Sequence, residues 1–251
     1  MSVKRAAPPN QLIAALPAAQ REQFLAGCTR VDLVLGSVLY EPGDRIRYVY
    51  FPTESFISML TTVDGDSTLE VGMVGSEGMC GYALLLGGDT APLRALTQGA
   101  GDAWRMKAET FRDCLEKMPA LREVMDRYIF VILRQLAQTA ACTRFHIVER
   151  RLARWLLMTQ DRAHADEFDV TQEFLAFMLG VRRVGVTSAA TALQSRKLIG
   201  CRRGHISILN RKRLERFACA CYQSDLDTYR LGMSARTHHR AAPRLSGKRR
   251  S

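Results

Sequence analysis

Between Phe168 and Leu209 the sequence runs helix, glycine, helix and glycine-tipped hairpin within 42 residues, an order that few folds accommodate. Asp169 or Thr171 is suited to cap a helix through Gln172–Leu179, whose apolar residues would pack inward. Gly180 follows the last apolar residue, where a left-handed stop is easiest for a residue without a Cβ. A second helix must then begin almost at once, from Arg182 to about Ser195, with Val184, Val186, Ala190 and Leu193 as its apolar positions. Two short helices joined by a glycine turn predict a helix-turn-helix. Leu198–Leu209 alternates an apolar strand, a basic tip with Gly204 and a second apolar strand, which predicts a wing.

The residue types on these elements suit a nucleic acid. The second helix presents Arg182, Arg183, Thr187 and Ser188 near its N-terminus, the end that reads base edges in the major groove. Arginine is the commonest specific partner of guanine. Arg202, Arg203 and His205 on the wing would lie beside the phosphate backbone, with Arg211, Lys212 and Arg213 extending the positive surface. The charge distribution agrees. The chain has 36 basic and 25 acidic residues, yet residues 1–120 carry 11 bases and 14 acids, whereas 180–217 carry 10 bases and one acid. A weakly acidic front half joined to a basic module predicts a sensor followed by a part that meets a polyanion, with double-stranded DNA as the partner.

A chain of 251 residues, 47% hydrophobic, can bury one large core or two small ones, which excludes disordered, collagen-like and disulfide-miniprotein classes. The apolar runs are too short for a membrane helix, and Pro8 and Pro9 interrupt any signal-peptide core after Lys4 and Arg5, so no membrane partner and a cytoplasmic location are expected. The front half reads as a helical lead over Asn10–Ala26 and then an all-β segment from Val31 to Trp104. Its candidate strands are Ser37–Tyr40, Arg47–Phe51, Phe56–Val63 and Ser67–Val74, with Asp64-Gly65-Asp66 as a hairpin turn. Short strands separated by regular turns predict a sandwich, barrel or jelly roll.

From Pro119 to Arg144 the period changes. Leu121, Met125, Tyr128, Ile132, Gln135, Thr139 and Cys142 recur at alternating spacings of four and three, the stripe of a coiled-coil-like helix. Either this stripe is a dimer seam, the favoured expectation because Val124, Phe130 and Val131 leave further apolar surface, or it lies on the β-domain. A further helix is expected over His146–Ala163, followed by a loop at 164–167. The resulting plan is α+β: a β-domain over 10–118, a dimerisation helix over 119–145, a winged helix-turn-helix over 146–217 and a basic, disordered tail over 230–251.

The seven cysteines lack both the density of a secreted scaffold and paired C-x-x-C spacing, so they read as buried reduced thiols, with no metal ligands and no cofactor expected. The five histidines are scattered and no hydrolase, zincin or phosphate-loop motif occurs, so no catalytic residues and no enzyme activity are expected.

On these motifs the chain from about Leu12 to Tyr222 resembles the Crp/Fnr family of transcription regulators. The match is gapless from Gly180-Val181-Arg182-Arg183-Val184-Gly185-Val186 through Leu193 to Leu198-Ile199. The resemblance implies a jelly-roll sensor, a long dimerisation helix and a winged helix-turn-helix, acting as a homodimer on a pseudo-palindromic operator, with RNA polymerase as a further partner. It places Arg183 at the family's base-reading arginine and Thr171 and Gln172 at phosphate-contacting positions. Val184 stands where the best-known members carry glutamate and Ser188 where they carry a second arginine, so a different operator is expected. The sensor matches less closely, through Tyr40–Asp44 and the turn Glu77-Gly78-Met79-Cys80-Gly81. By the resemblance, Gly78, Met79, Cys80, Gly81 and Arg94 would line an effector pocket. Met79 replaces the glutamate that accepts from a cyclic nucleotide's ribose, and Ala95 follows Arg94 where a hydroxyl residue is usual, so control by cAMP is not expected and the effector is unknown. The N-terminal cysteine cluster of iron–sulfur members is absent. Cys219-Ala220-Cys221-Tyr222 resembles a C-terminal motif of one branch of the family. The competing reading is a ligand-binding sensor or scaffold whose helix-turn-helix makes protein contacts.

Overall fold

The structure, a computed structural model, describes residues 10–64, 67–202 and 204–234. The lead is two helices, α1 (Gln11–Ala14) and α2 (Ala18–Ala26), rather than one. Pro17 cannot donate to a continuing helix and instead takes the N-cap of α2. Asn10 is buried because both ends of its amide are used: Oδ1 accepts from the Leu12 and Ile13 N–H groups, and Nδ2 donates to the carbonyls of Pro52 at 3.0 Å and Gly78 at 2.8 Å.

The β-domain contains β1 (Thr29–Leu33), β2 (Val38–Tyr40), β3 (Tyr48–Pro52), β4 (Phe56–Val63), β5 (Ser67–Val74), a 3-10 turn (Tyr82–Leu86), β6 (Arg94–Gly99) and β7 (Gly101–Lys107). They form two antiparallel sheets, ordered β1-β7-β3 and β2-β6-β4-β5. The expected strands fall within a residue of those observed, and Phe56–Val63 and Ser67–Val74 coincide with β4 and β5. These two pair with Val63 opposite Ser67, and Asp64 takes φ +51° to enter the turn, whose Gly65 and Asp66 lie outside the described residues. Phe24, Phe51 and Phe111 meet edge to face in the core beneath, with ring centroids 5.3–6.4 Å apart.

After α3 (Ala108–Lys117), the long helix α4 spans Pro119–Phe145, with Pro119 at a helix start where its missing N–H is harmless. Four residues of its apolar stripe are covered within the chain, whereas Ile132, Gln135 and Thr139 are half-buried. Leu121, Met125 and Tyr128 belong to the β-domain core, and Cys142 is buried near the other end. A heptad-like spacing records which face is apolar and not what covers it. The large apolar side chains of α4 left exposed are Phe130 and Leu133, at 56% and 58%, and Phe145.

The C-terminal part follows: α5 (Val148–Ala163), β8 (Glu167–Asp169), α6 (Gln172–Leu179), α7 (Arg183–Ser195), β9 (Ile199–Arg202), β10 (His205–Ile208), α8 (Arg211–Phe217) and α9 (Cys221–Met233). Asp169 thus lies in a strand that pairs with β10, where a loop or cap was expected. Helix α9, not expected from the sequence, packs along α4 and takes up the start of the expected tail; residues 235–251 of that tail lie outside the described residues. An ion pair closes the three-helix junction. Arg154 of α5 donates to Asp225 of α9 through Nη2 at 2.6 Å and Nε at 3.1 Å, and to Thr139 of α4 at 3.2 Å. The winged part is not a separate globule, because Leu60 of β4 and Met73 of β5 share a core with Leu156, Leu175, Met178 and Leu193. Among the described residues no helix is long and apolar enough to cross a membrane.

Candidate nucleic-acid interface

Two helices and a hairpin converge on one exposed face. Thr171 is the cap of α6, its Oγ1 accepting from the Phe174 N–H at 3.1 Å, so the choice between Asp169 and Thr171 falls to Thr171. The helix closes by a Schellman arrangement: the Val181 N–H donates to Ala176 O at 3.0 Å and the Gly180 N–H to Phe177 O at 3.3 Å. Gly180 sits at φ +59°, and a Cβ there would lie 3.1 Å from Leu69 Cδ1 of β5. The turn therefore needs glycine both for its backbone and for its fit against the β-domain. Arg151 donates to the Leu179 carbonyl, securing the same turn from α5.

Arg182 is the cap residue of α7 and Arg183 its first helical residue, one later than expected. The first turn has no acidic side chain and no side-chain cap, so nothing there offsets the positive end of the helix dipole beside the two exposed arginines. Val186, Ala189, Ala190 and Leu193 are buried, while Arg182, Arg183, Thr187 and Ser188 are exposed. Val184 was expected among the core positions but is 73% exposed, between Arg183 and Ser188 on the outer face; the core takes Ala189 in its place. Thr187 Oγ1 donates to Gln172 Oε1 at 2.6 Å, which couples the two helices directly at the exposed face.

The wing forms as expected, with Ile199 opposite Ile208 and Arg202 opposite His205, and Gly204 at φ +83° beside the tip. Arg202 is exposed, and Arg203 lies outside the described residues. His205 is not free to serve phosphate alone. Its Nδ1 lies 3.0 Å from Asp169 Oδ1 and its Nε2 3.4 Å from Glu167 Oε2, and the Asp169 hydrogen bond raises its pKa above the usual value. Arg211, read from sequence as surface charge, is instead a structural clamp. It donates to Gln160 at 2.8 Å, Asp161 at 2.7 Å, Tyr222 at 2.7 Å and Glu215 at 2.9 Å, whereas Lys212 and Arg213 remain exposed.

The residues expected to line an effector pocket are split. Gly78, Met79, Cys80 and Gly81 form the turn before the 3-10 helix, but Met79 and Cys80 are fully buried in the β-domain core. Tyr128 of α4 covers this turn: its Oη accepts from the Met79 N–H at 3.1 Å, and a Cβ at Gly78 would collide with it. Arg94, at the start of β6, pairs with Glu41 at 3.3 Å. One cluster escaped the sequence reading, which assigned no metal ligands: Cys142, His146, Cys219 and Cys221 bring their donor atoms within 4.8 Å of one another. The available signal was the spacing Cys142-x-x-x-His146, with Cys219-x-Cys221 a second pair 77 residues on.

The fold and this face define a DNA-binding regulator with a sensor-like β-domain. Residues 150–217 match the Crp-like helix-turn-helix domain and residues 30–118 the cyclic nucleotide-binding domain, together more than half of the chain. The chain belongs to the Crp/Fnr family of transcription regulators. No curated protein matches it. Among solved structures it is similar to the c-di-GMP-responsive global regulator CLP of Xanthomonas campestris (20% identity, TM-score 0.65, covering 77% of this chain and 100% of that one). It is also similar to a Crp/Fnr-family regulator from Eubacterium rectale (17%, TM-score 0.66, 82% and 96%) and to FixK2 of Bradyrhizobium japonicum (16%, TM-score 0.65, 77% and 98%).

Proposed function

We propose that the protein binds a pseudo-palindromic operator as a homodimer and regulates transcription by occupying it, acting through binding and not catalysis. The observation that carries this reading is the capped, glycine-turned helix pair whose exposed face gathers Arg182, Arg183, Thr187 and Ser188, beside Arg202 of the wing. Exposed Val184 next to Arg183 suits a thymine methyl beside the guanine that the arginine reads. Dimerisation uses the outer face of α4, where Phe130, Leu133, Ala137 and Ala140 are exposed at spacings of three and four.

Genome-wide footprinting should return two half-sites about one helical turn apart, each with a guanine–thymine core. Leu133→Asp should shift the protein to monomer in sedimentation and abolish the paired footprint. Absence of any enriched motif would favour the scaffold reading instead. Cyclic AMP is not the effector: Met79 offers no acceptor for a ribose hydroxyl, and Tyr128 already occupies its backbone N–H. Calorimetric titration with cyclic AMP should give no binding heat, and micromolar affinity would overturn this assignment.

A further inference from the structure

Three cysteines and a histidine from opposite ends of the C-terminal half meet at the top of α4. Cys142 occupies the last turn of that helix and His146 caps it, while Cys219 lies in the step between α8 and α9 and Cys221 is the first residue of α9. The three thiols form a small buried cluster of their own, separate from both large hydrophobic cores. Cys142 Sγ lies 3.6 Å from Cys219 Sγ, and Cys221 Sγ lies 3.5 Å from His146 Nδ1. A tetrahedral zinc with Zn–S near 2.3 Å and Zn–N near 2.0 Å holds its donor atoms roughly 3.5–3.8 Å apart. The Cys142–Cys219 and Cys221–His146 separations match those edges, and all four donor atoms lie within 4.8 Å of one another. Sulfurs at 3.6 Å are well beyond a disulfide bond, which is about 2.05 Å.

We propose that Cys142, His146, Cys219 and Cys221 form a tetrahedral Zn²⁺ site that ties the end of α4 to the α8–α9 junction. Soft thiolates with one imidazole select this ion over the hard divalent cations. Binding replaces the three thiol protons, which pass to solvent, by three Zn–S bonds, and the imidazole binds through a ring nitrogen without losing a proton. The surroundings are built for anionic sulfur rather than for apolar packing. Gln138 Nε2 donates to Cys221 Sγ at 2.9 Å, orienting that ligand from outside. Buried thiols serving only as small hydrophobes would have no use for an amide donor.

The site links elements that the function needs in register. His146 is two residues before α5, the first helix of the winged part, and Cys219 is two residues after α8. One ion would therefore staple both ends of the DNA-binding part to the long helix. The test uses the full chain purified in reductant. Elemental analysis should find one zinc per chain, and titration of the metal-free protein with Co²⁺ should produce a thiolate-to-cobalt charge-transfer band together with intense tetrahedral ligand-field bands. Cys142→Ser and Cys219→Ser should lower cobalt affinity by more than about 100-fold, and Gln138→Ala by about tenfold. Cys28→Ser and Cys114→Ser, which alter thiols of the β-domain, should leave the spectrum unchanged. The cobalt spectrum of the unaltered chain reads the site even where a variant fails to fold. Weak octahedral bands without charge transfer would overturn the proposal, as would the absence of any cobalt band on titrating the reduced protein.

Discussion

Replacing Asp225 with alanine is expected to destabilise the protein by about 3–5 kcal/mol, because it strands a buried guanidinium. Arg154 and Asp225 have side chains only 8% and 9% exposed, and the pair joins α5 to α9 with α4 alongside. Burial pushes the Asp225 carboxyl above its ordinary range, and the Arg154 charge beside it works in the opposite direction. The Coulomb attraction is thus spent largely against desolvation, so the loss comes from breaking the pair rather than from the pair's net worth. The double replacement Arg154→Met with Asp225→Leu should accordingly recover most of the stability. Urea unfolding, compared at unchanged m-value, checks both. A loss under about 1 kcal/mol for Asp225→Ala, the size expected of an exposed pair such as Arg230–Asp227, would show that water reaches Arg154.

The second large effect lies on the exposed face. Arg183→Ala should weaken binding to the cognate operator by about 1–3 kcal/mol while leaving random DNA nearly unaffected, since a base contact carries sequence information. Arg202→Ala should behave oppositely, weakening all sequences alike and reducing the salt slope by about one unit, as a phosphate contact does. Fluorescence anisotropy across a salt series separates the two. Equal losses on operator and random DNA for Arg183→Ala would remove it from the base-reading role.

Much of this was legible in the sequence, and the gaps have physical causes. The β4–β5 hairpin and the helix-turn-helix were readable because local signals specify them: the Asp64-Gly65 turn between apolar strands, Thr171 as a cap and Gly180 as a stop. What depended on distant partners was not. The α4 stripe is apolar whether a second chain, a β-sheet or α9 covers it. Val184 fits a helical period, but Ala189 is small enough to take the core position and leaves the larger side chain outside. Arg211 is one more base in a basic run until Asp161 and Glu215 are found against it, and His205 likewise until Asp169 is seen on a strand the sequence hid. The four sulfur and nitrogen donors converge only because α9 folds back along α4, and nothing local announces that return.

Leu60 and Met73, two β-domain residues seated in the core of the winged part, set a threshold for any switching of this protein. Swinging the reading head away from the β4–β5 hairpin exposes both, along with the apolar surface of α6 that packs on β5, at about 1.5–3 kcal/mol per large apolar side chain. A weak signal leaves such an arrangement where it is. To carry the population of such a pair of orientations from 1:99 to 99:1, an effector must favour the second by about 5.5 kcal/mol. The response is therefore expected in steps and not as a graded tilt, with the hairpin serving as a detent.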